Sequence, residues 1–133
     1  MRDSQGSVLF AAWKQLSNCA SAEEAEVLAI LEGLTYLAAN AHDASFIESD
    51  CARLIDVLNS SVRNQSGHWS LFLEAKAIMQ LLPEVKLSKI SRVSNRVAHV
   101  LAQLGKHECG VSHGVLPSCV SEALLLDCNN VVA

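Results

Sequence analysis

The 133-residue sequence has no run of about 18 apolar residues, so no segment reads as a membrane span. It has no secretory signal: the opening MRDSQGS is polar where an apolar stretch would be needed. It has no Cys-x-x-Cys pair. Its five cysteines (Cys19, Cys51, Cys109, Cys119 and Cys128) stand alone and are odd in number, which excludes a simple disulfide framework. Together these absences predict a reduced, intracellular chain, nuclear or cytoplasmic. Nor is there an excess of positive charge. The formal net charge is −4, which argues against wholesale, non-specific neutralisation of nucleic-acid phosphate. There are no internal repeats and no low-complexity segment.

What is present is apolar: half of the residues are hydrophobic, enough for one packed domain with one core. The charge that exists is unevenly spread. Four of the ten Lys and Arg fall in KLSKISRVSNR, as Lys86, Lys89, Arg92 and Arg96, with no acid among them. On charge alone that stretch reads as a solvated face. HECGVSHGVLPSC places His107, Cys109, His113 and Cys119 close together, but their spacing matches no common zinc site; free thiols and surface histidines are the simpler reading.

The element order follows from periodicity and punctuation. Asp3-Ser4-Gln5-Gly6 is a turn, with only two residues before it. SVLFAAWK (7–14) reads as a strand. Ser21-Ala22-Glu23-Glu24 is a capping box opening a helix over about 22–39. FIESD (46–50) reads as a short strand, after the loop NAHDAS. A helix follows over about 51–60, with Leu54, Ile55 and Leu58 on one face. After the loop SVRNQSGH a third helix covers about 70–82 and stops at Pro83. EVKLSKI alternates as a strand with one wet face. Ser94 or Asn95 caps a fourth helix ended by Gly105, and the tail holds one short helix around VSEALLL. Strands alternating with helices predict an α/β domain.

Two acids stand out. Projected at about 100° per residue, the first helix places Glu26 within a broad apolar arc. Ala22, Ala29 and Gly33 flank it on one side, and Val27, Ile30, Leu34 and Leu37 on the other. A carboxylate aimed inward is costly unless paired, protonated or bound to a metal. Asp50 by itself is an ordinary N-cap of the helix beginning at Cys51. Paired with Glu26, at the end of a strand of the same sheet, it could also share a divalent ion, because Mg²⁺ takes hard oxygen ligands and only a few of them from protein.

RDSQGSVLFAA, SAEEAEVLAILEGL, FIESDCARLIDVLN and SRVSNRVAHVLAQL, linked in this order, resemble the ribonuclease H family, and most of all the plant RNase H-like domains related to retroelement reverse transcriptases. The tail GVLPSCVSEALLLD is also similar to that branch. The resemblance implies an RNase H-like mixed sheet flanked by helices over residues 1–106, lacking its first one or two strands, then a tail over 107–133. It implies hydrolysis of the RNA strand of an RNA–DNA hybrid by two Mg²⁺ ions about 4 Å apart, held by Asp, Glu, Asp and Asp in order. Glu26 matches the Glu and Asp50 the second Asp, as catalytic and metal-binding residues. The first Asp would precede residue 1, and His99 occupies the place of the last, a nitrogen where Mg²⁺ prefers oxygen. His99 also projects toward the wet side of its helix, as a surface histidine would.

The resemblance further implies that Lys86, Lys89, Arg92 and Arg96 border the site and contact phosphate. The expectation is an impaired nuclease with a weak or incomplete Mg²⁺ site, Mn²⁺ being a possible substitute. The alternatives are a non-catalytic domain that binds nucleic acid or protein, and a retroelement-derived remnant. Self-association through an unpaired strand edge along Ser7 to Lys14 is a further expectation.

Overall fold

The computed structural model describes residues 1–40, 44–61, 63 and 67–129. The loops expected at 40–45 and 61–68 fall partly outside them. The elements are strand β1 (Phe10–Trp13), helix α1 (Ala22–Asn40), strand β2 (Ser45–Ser49), helix α2 (Ala52–Asn59), helix α3 (Trp69–Leu81), strand β3 (Val85–Lys89), a 3-10 turn (Val93–Asn95), helix α4 (Arg96–Leu104), strand β4 (Gly110–His113) and helix α5 (Ser118–Asn129). The α/β class is as expected. The sheet is divided, however: β1 and β4 form one two-stranded sheet and β2 and β3 another, and no strand among the described residues belongs to both. None of the helices is long and apolar enough to cross a membrane, over the described residues.

The chain forms two compact units, Asn18–Ile90 and Met1–Ser17 with Ser91–Ala133. In the first, β2 and β3 run parallel, with Ser45 opposite Val85 and Ser49 opposite Lys89. Parallel neighbours need a long crossover, and α2 and α3 supply it. One face of the pair turns Ile47, Val85 and Leu87 to the core, while Phe46, Glu48 and Lys86 face water. Beneath it Val27, Ile30, Leu34 and Leu37 of α1 meet Leu54, Ile55 and Leu58 of α2 and Phe72 and Ala75 of α3. Those four α1 residues recur at the helical period and form its buried stripe. Ala22, Ala29 and Gly33 do not join them and are exposed. The buried arc of α1 is therefore narrower than expected: small side chains gain little from burial, and Glu26 lies at the margin of the stripe.

In the second unit β1 pairs antiparallel with β4 along its whole length, Phe10 opposite His113 and Trp13 opposite Gly110. Residues 110–113 fall within the tail expected from the sequence and form a strand instead. The pairing gives β1 a neighbour on one side; in this two-stranded sheet no strand among the described residues lies along its other edge. The turn at Asp3–Gly6 also has chain on both sides: Arg2 bridges Val8, and the Leu9 N–H donates to the Met1 carbonyl at 3.0 Å. Asp3 holds it, its Oδ1 accepting from the N–H groups of Gln5 and Ser7 at 2.9 and 2.8 Å.

Glycine at 110 is required by contact: a Cβ there would collide with the Trp13 indole across the ladder. Gly105 ends α4 in ordinary right-handed conformation. Its merit is closeness, since a Cβ would meet the Lys14 backbone O and N at 3.1 and 3.2 Å.

Candidate active site

The first turn of α1 is fixed by the capping box. The Glu24 N–H donates to Ser21 Oγ at 3.1 Å, and Glu24 Oε2 accepts from the Ala20 N–H at 2.6 Å. The Glu side chain thus reaches one residue beyond the N-cap, still satisfying an orphan donor. His68, which occupies the N-cap position of α3, places its Nε2 3.0 Å from Ser21 Oγ. Arg53, in the first turn of α2, lies with its Nε 3.0 Å from Glu23 Oε1. The start of α1 is thereby tied to the starts of both other helices in its unit, and Glu26 follows one turn on.

Glu26 is half-buried. Its carboxyl titrates above the ordinary glutamate range, first because burial removes water from the charged form and second because Asp50 adds negative charge nearby. Asp50 follows the last residue of β2 and precedes Cys51, which is the N-cap of α2 and makes no side-chain cap bond. The capping role expected for Asp50 is thus corrected by one residue. The reason lies in Ser49. It is 4% exposed, and its Oγ accepts the Cys51 N–H at 3.1 Å, closing the strand-to-helix turn from below. The turn sets Asp50 at the carboxyl end of a parallel strand, where open α/β sheets gather ligands.

A half-buried carboxyl whose ionisation a second carboxylate opposes is suited to a cation, which removes the conflict. Both donors are hard oxygens. Among the described residues no group of three or more His, Cys, Asp or Glu side chains forms a metal cluster. A pair of carboxylates with water completing the shell is what Mg²⁺ commonly accepts from protein. The oxygen donors of Glu26 and Asp50 are compatible in chemistry with the hard cation implied by the resemblance.

The other expected residues are placed as follows. Lys86 and Lys89 are exposed on β3, in the same unit as Glu26 and Asp50. Arg92 and Arg96 are exposed in the other unit, before and at the start of α4, and His99 is exposed on that helix. Cys109 accepts the Gln15 N–H at 3.2 Å, and the His113 ring lies 5.3 Å from that of Phe10. Sequence reasoning missed Ser49, Arg53 and His68. Ser49 was within reach of it, since Ser45, Ile47 and Ser49 share one strand face. The partners of Arg53 and His68 come from distant segments and carry no local signal.

A family model described as reverse transcriptase-like matches residues 1–105. No curated protein and no solved structure gives a significant match.

Proposed function

The chain belongs to the reverse transcriptase-like family, whose domain is RNase H-like, and from that premise we propose that it binds RNA–DNA hybrid and has at most weak hybrid-cleaving activity. The observation that supports the reading is a half-buried Glu26 carboxyl, raised in pKa first by burial and second by the nearby Asp50 charge. Glu26 and Asp50 are the residues that would hold one divalent ion. When bound, such an ion stabilises negative charge on a phosphodiester oxygen and acidifies a bound water.

The protein's own part is positional. Ser49 and Cys51 fix the turn that carries Asp50, and the Ser21–Glu24 cap fixes the helix that carries Glu26. Exposed Lys86 and Lys89 in one unit, and Arg92 and Arg96 in the other, are each able to contact phosphate, a contact that positions a strand without reading its sequence.

Cleavage is weak because His99 stands where the family carries a carboxylate, which leaves fewer oxygens for metal. Losing one oriented stabilising group costs about 10² to 10³ in rate. Binding does not depend on that ligand, which favours a second reading in which the domain binds hybrid without cutting it. The test is a labelled RNA–DNA hybrid incubated with the purified chain in Mg²⁺ and, separately, Mn²⁺. Slow cleavage abolished by Glu26→Gln supports the first reading. Binding without cleavage, lost when the four basic residues become Ala, supports the second. Neither binding nor cleavage would refute both.

A further inference from the structure

The basic stretch contains three serines, Ser88 within β3 and Ser91 and Ser94 beyond it, and the binding reading does not use the hydroxyls of the latter two. Ser91 and Ser94 are exposed, with their Oγ atoms 2.8 Å apart. Their roles differ. Ser91 Oγ accepts the Ser94 N–H at 3.2 Å and so supports the 3-10 turn that leads into α4. Ser94 Oγ makes no bond to the backbone beyond this contact with Ser91 in the described geometry, so changing it leaves the turn's backbone bonds in place. Ser94 is also flanked symmetrically by charge. Arg92 lies two residues before it and Arg96 two residues after, both exposed, and the nearest acid before it is Glu84.

We propose that Ser94 is a phosphorylation site for a protein kinase that selects arginine on both sides of its serine. In the reaction Ser94 Oγ attacks the γ-phosphorus of ATP. The bond from that phosphorus to the bridging oxygen breaks, ADP leaves, and the hydroxyl proton passes to the kinase's base. The product carries about −1.5 to −2 charge at neutral pH between two guanidinium groups that can pair with it. Ser91 is the poorer substrate, because substituting its oxygen disrupts the acceptor that holds the Ser94 N–H.

The consequence rests on the proposed hybrid binding. Four phosphate contacts give a slope of log affinity against log salt of about −3.6, and offsetting two of them reduces it to about −1.8. Phosphorylation would therefore release the nucleic acid.

The experiment treats the full chain with a basophilic serine/threonine kinase and MgATP. Mass spectrometry locates the phosphoryl group, and hybrid binding is measured across a salt series before and after. The expected result is one phosphoryl group on Ser94, absent in Ser94→Ala, retained in Ser91→Ala and restored in Ser94→Thr, with the salt slope about halved. No incorporation, or incorporation that persists in Ser94→Ala, overturns the proposal. Failure of the unmodified chain to bind hybrid refutes the function proposed above, and the phosphoryl readout still decides the site.

Discussion

The two units of the molecule are built differently. Residues 18–90 hold a continuous apolar core, with Val27, Leu34, Leu54 and Phe72 fully buried. In the unit formed by 1–17 and 91–133 the buried apolar residues are Ala11, Val120 and Ala123 among those described, and α4 buries none of its side chains. Large apolar side chains contribute far more on burial than alanine does. The first unit is therefore held mainly by its core. The second relies more on backbone pairing between segments nearly a hundred residues apart, Phe10–Trp13 and Gly110–His113. Non-local ladders are slow to form and offer less to offset the ordering of the chain that makes them. The lesson for function is that Glu26 and Asp50 belong to the robust unit, while Arg92, Arg96 and His99 belong to the weaker one.

The comparison breaks most sharply at Phe72. Truncating it to Ala should cost about 3–5 kcal/mol and collapse amide protection across residues 18–90. Hydrogen exchange resolved by segment measures this; protection kept in α1 and α3 would show that the core does not hold that unit. At Gly110 the effect is smaller and falls on the other unit. Gly110→Ala forces a methyl group into the Trp13 ring, and overpacking of this kind costs about 1–3 kcal/mol. Faster exchange at the amides of β1 and β4, with α1 unchanged, is the expected pattern. Equal loss in both units would mean that they unfold as one.

The smallest effect sharpens the comparison at the site. Glu26 has a raised pKa in the folded state, so its neutral form is favoured there. It contributes stability at pH below the unfolded glutamate value, and that contribution is lost as pH rises through the raised folded value. At neutral pH the ionised group is a burden, and Glu26→Gln should stabilise the metal-free chain. The gain stays below about 1 kcal/mol, because the carboxyl is only half-buried and solvent screens it. Thermal melts of both proteins between pH 4 and 8 should diverge toward the alkaline end; parallel curves would show that the folded state does not raise the Glu26 pKa.

Much of the first unit could be read in the sequence, because its signals are local. Val27, Ile30, Leu34 and Leu37 recur at the helical period behind a capping box, and Lys86 alternates with Val85 and Leu87. Errors arose where size or distance decided the outcome. Helical projection counted Ala22, Ala29 and Gly33 as a burying face, yet they expose too little apolar surface to bury, so Glu26 was placed too deep. Asp50, expected as a metal ligand that also caps its helix because Asp is a good cap, is not the N-cap: Cys51 is, with its N–H bonded to the buried Ser49. Strand β4 went unseen because Gly-Val-Ser-His has little strand character by itself. Its glycine makes sense only once Trp13 lies across it. For the site, the paired acids were legible as a pattern of types on neighbouring elements, whereas Arg53 and His68 depend on contacts that folding alone creates.

The central claim is that Glu26 and Asp50 act as one pair that takes one cation. Calorimetric titration of Mg²⁺ into the metal-free chain tests it most directly, alongside the Asp50→Asn variant. The account predicts a single weak site in the unmodified chain, strengthening as pH rises because Glu26 must lose its proton, and no binding in Asp50→Asn. Two tight sites, or binding unchanged by that substitution, would contradict it.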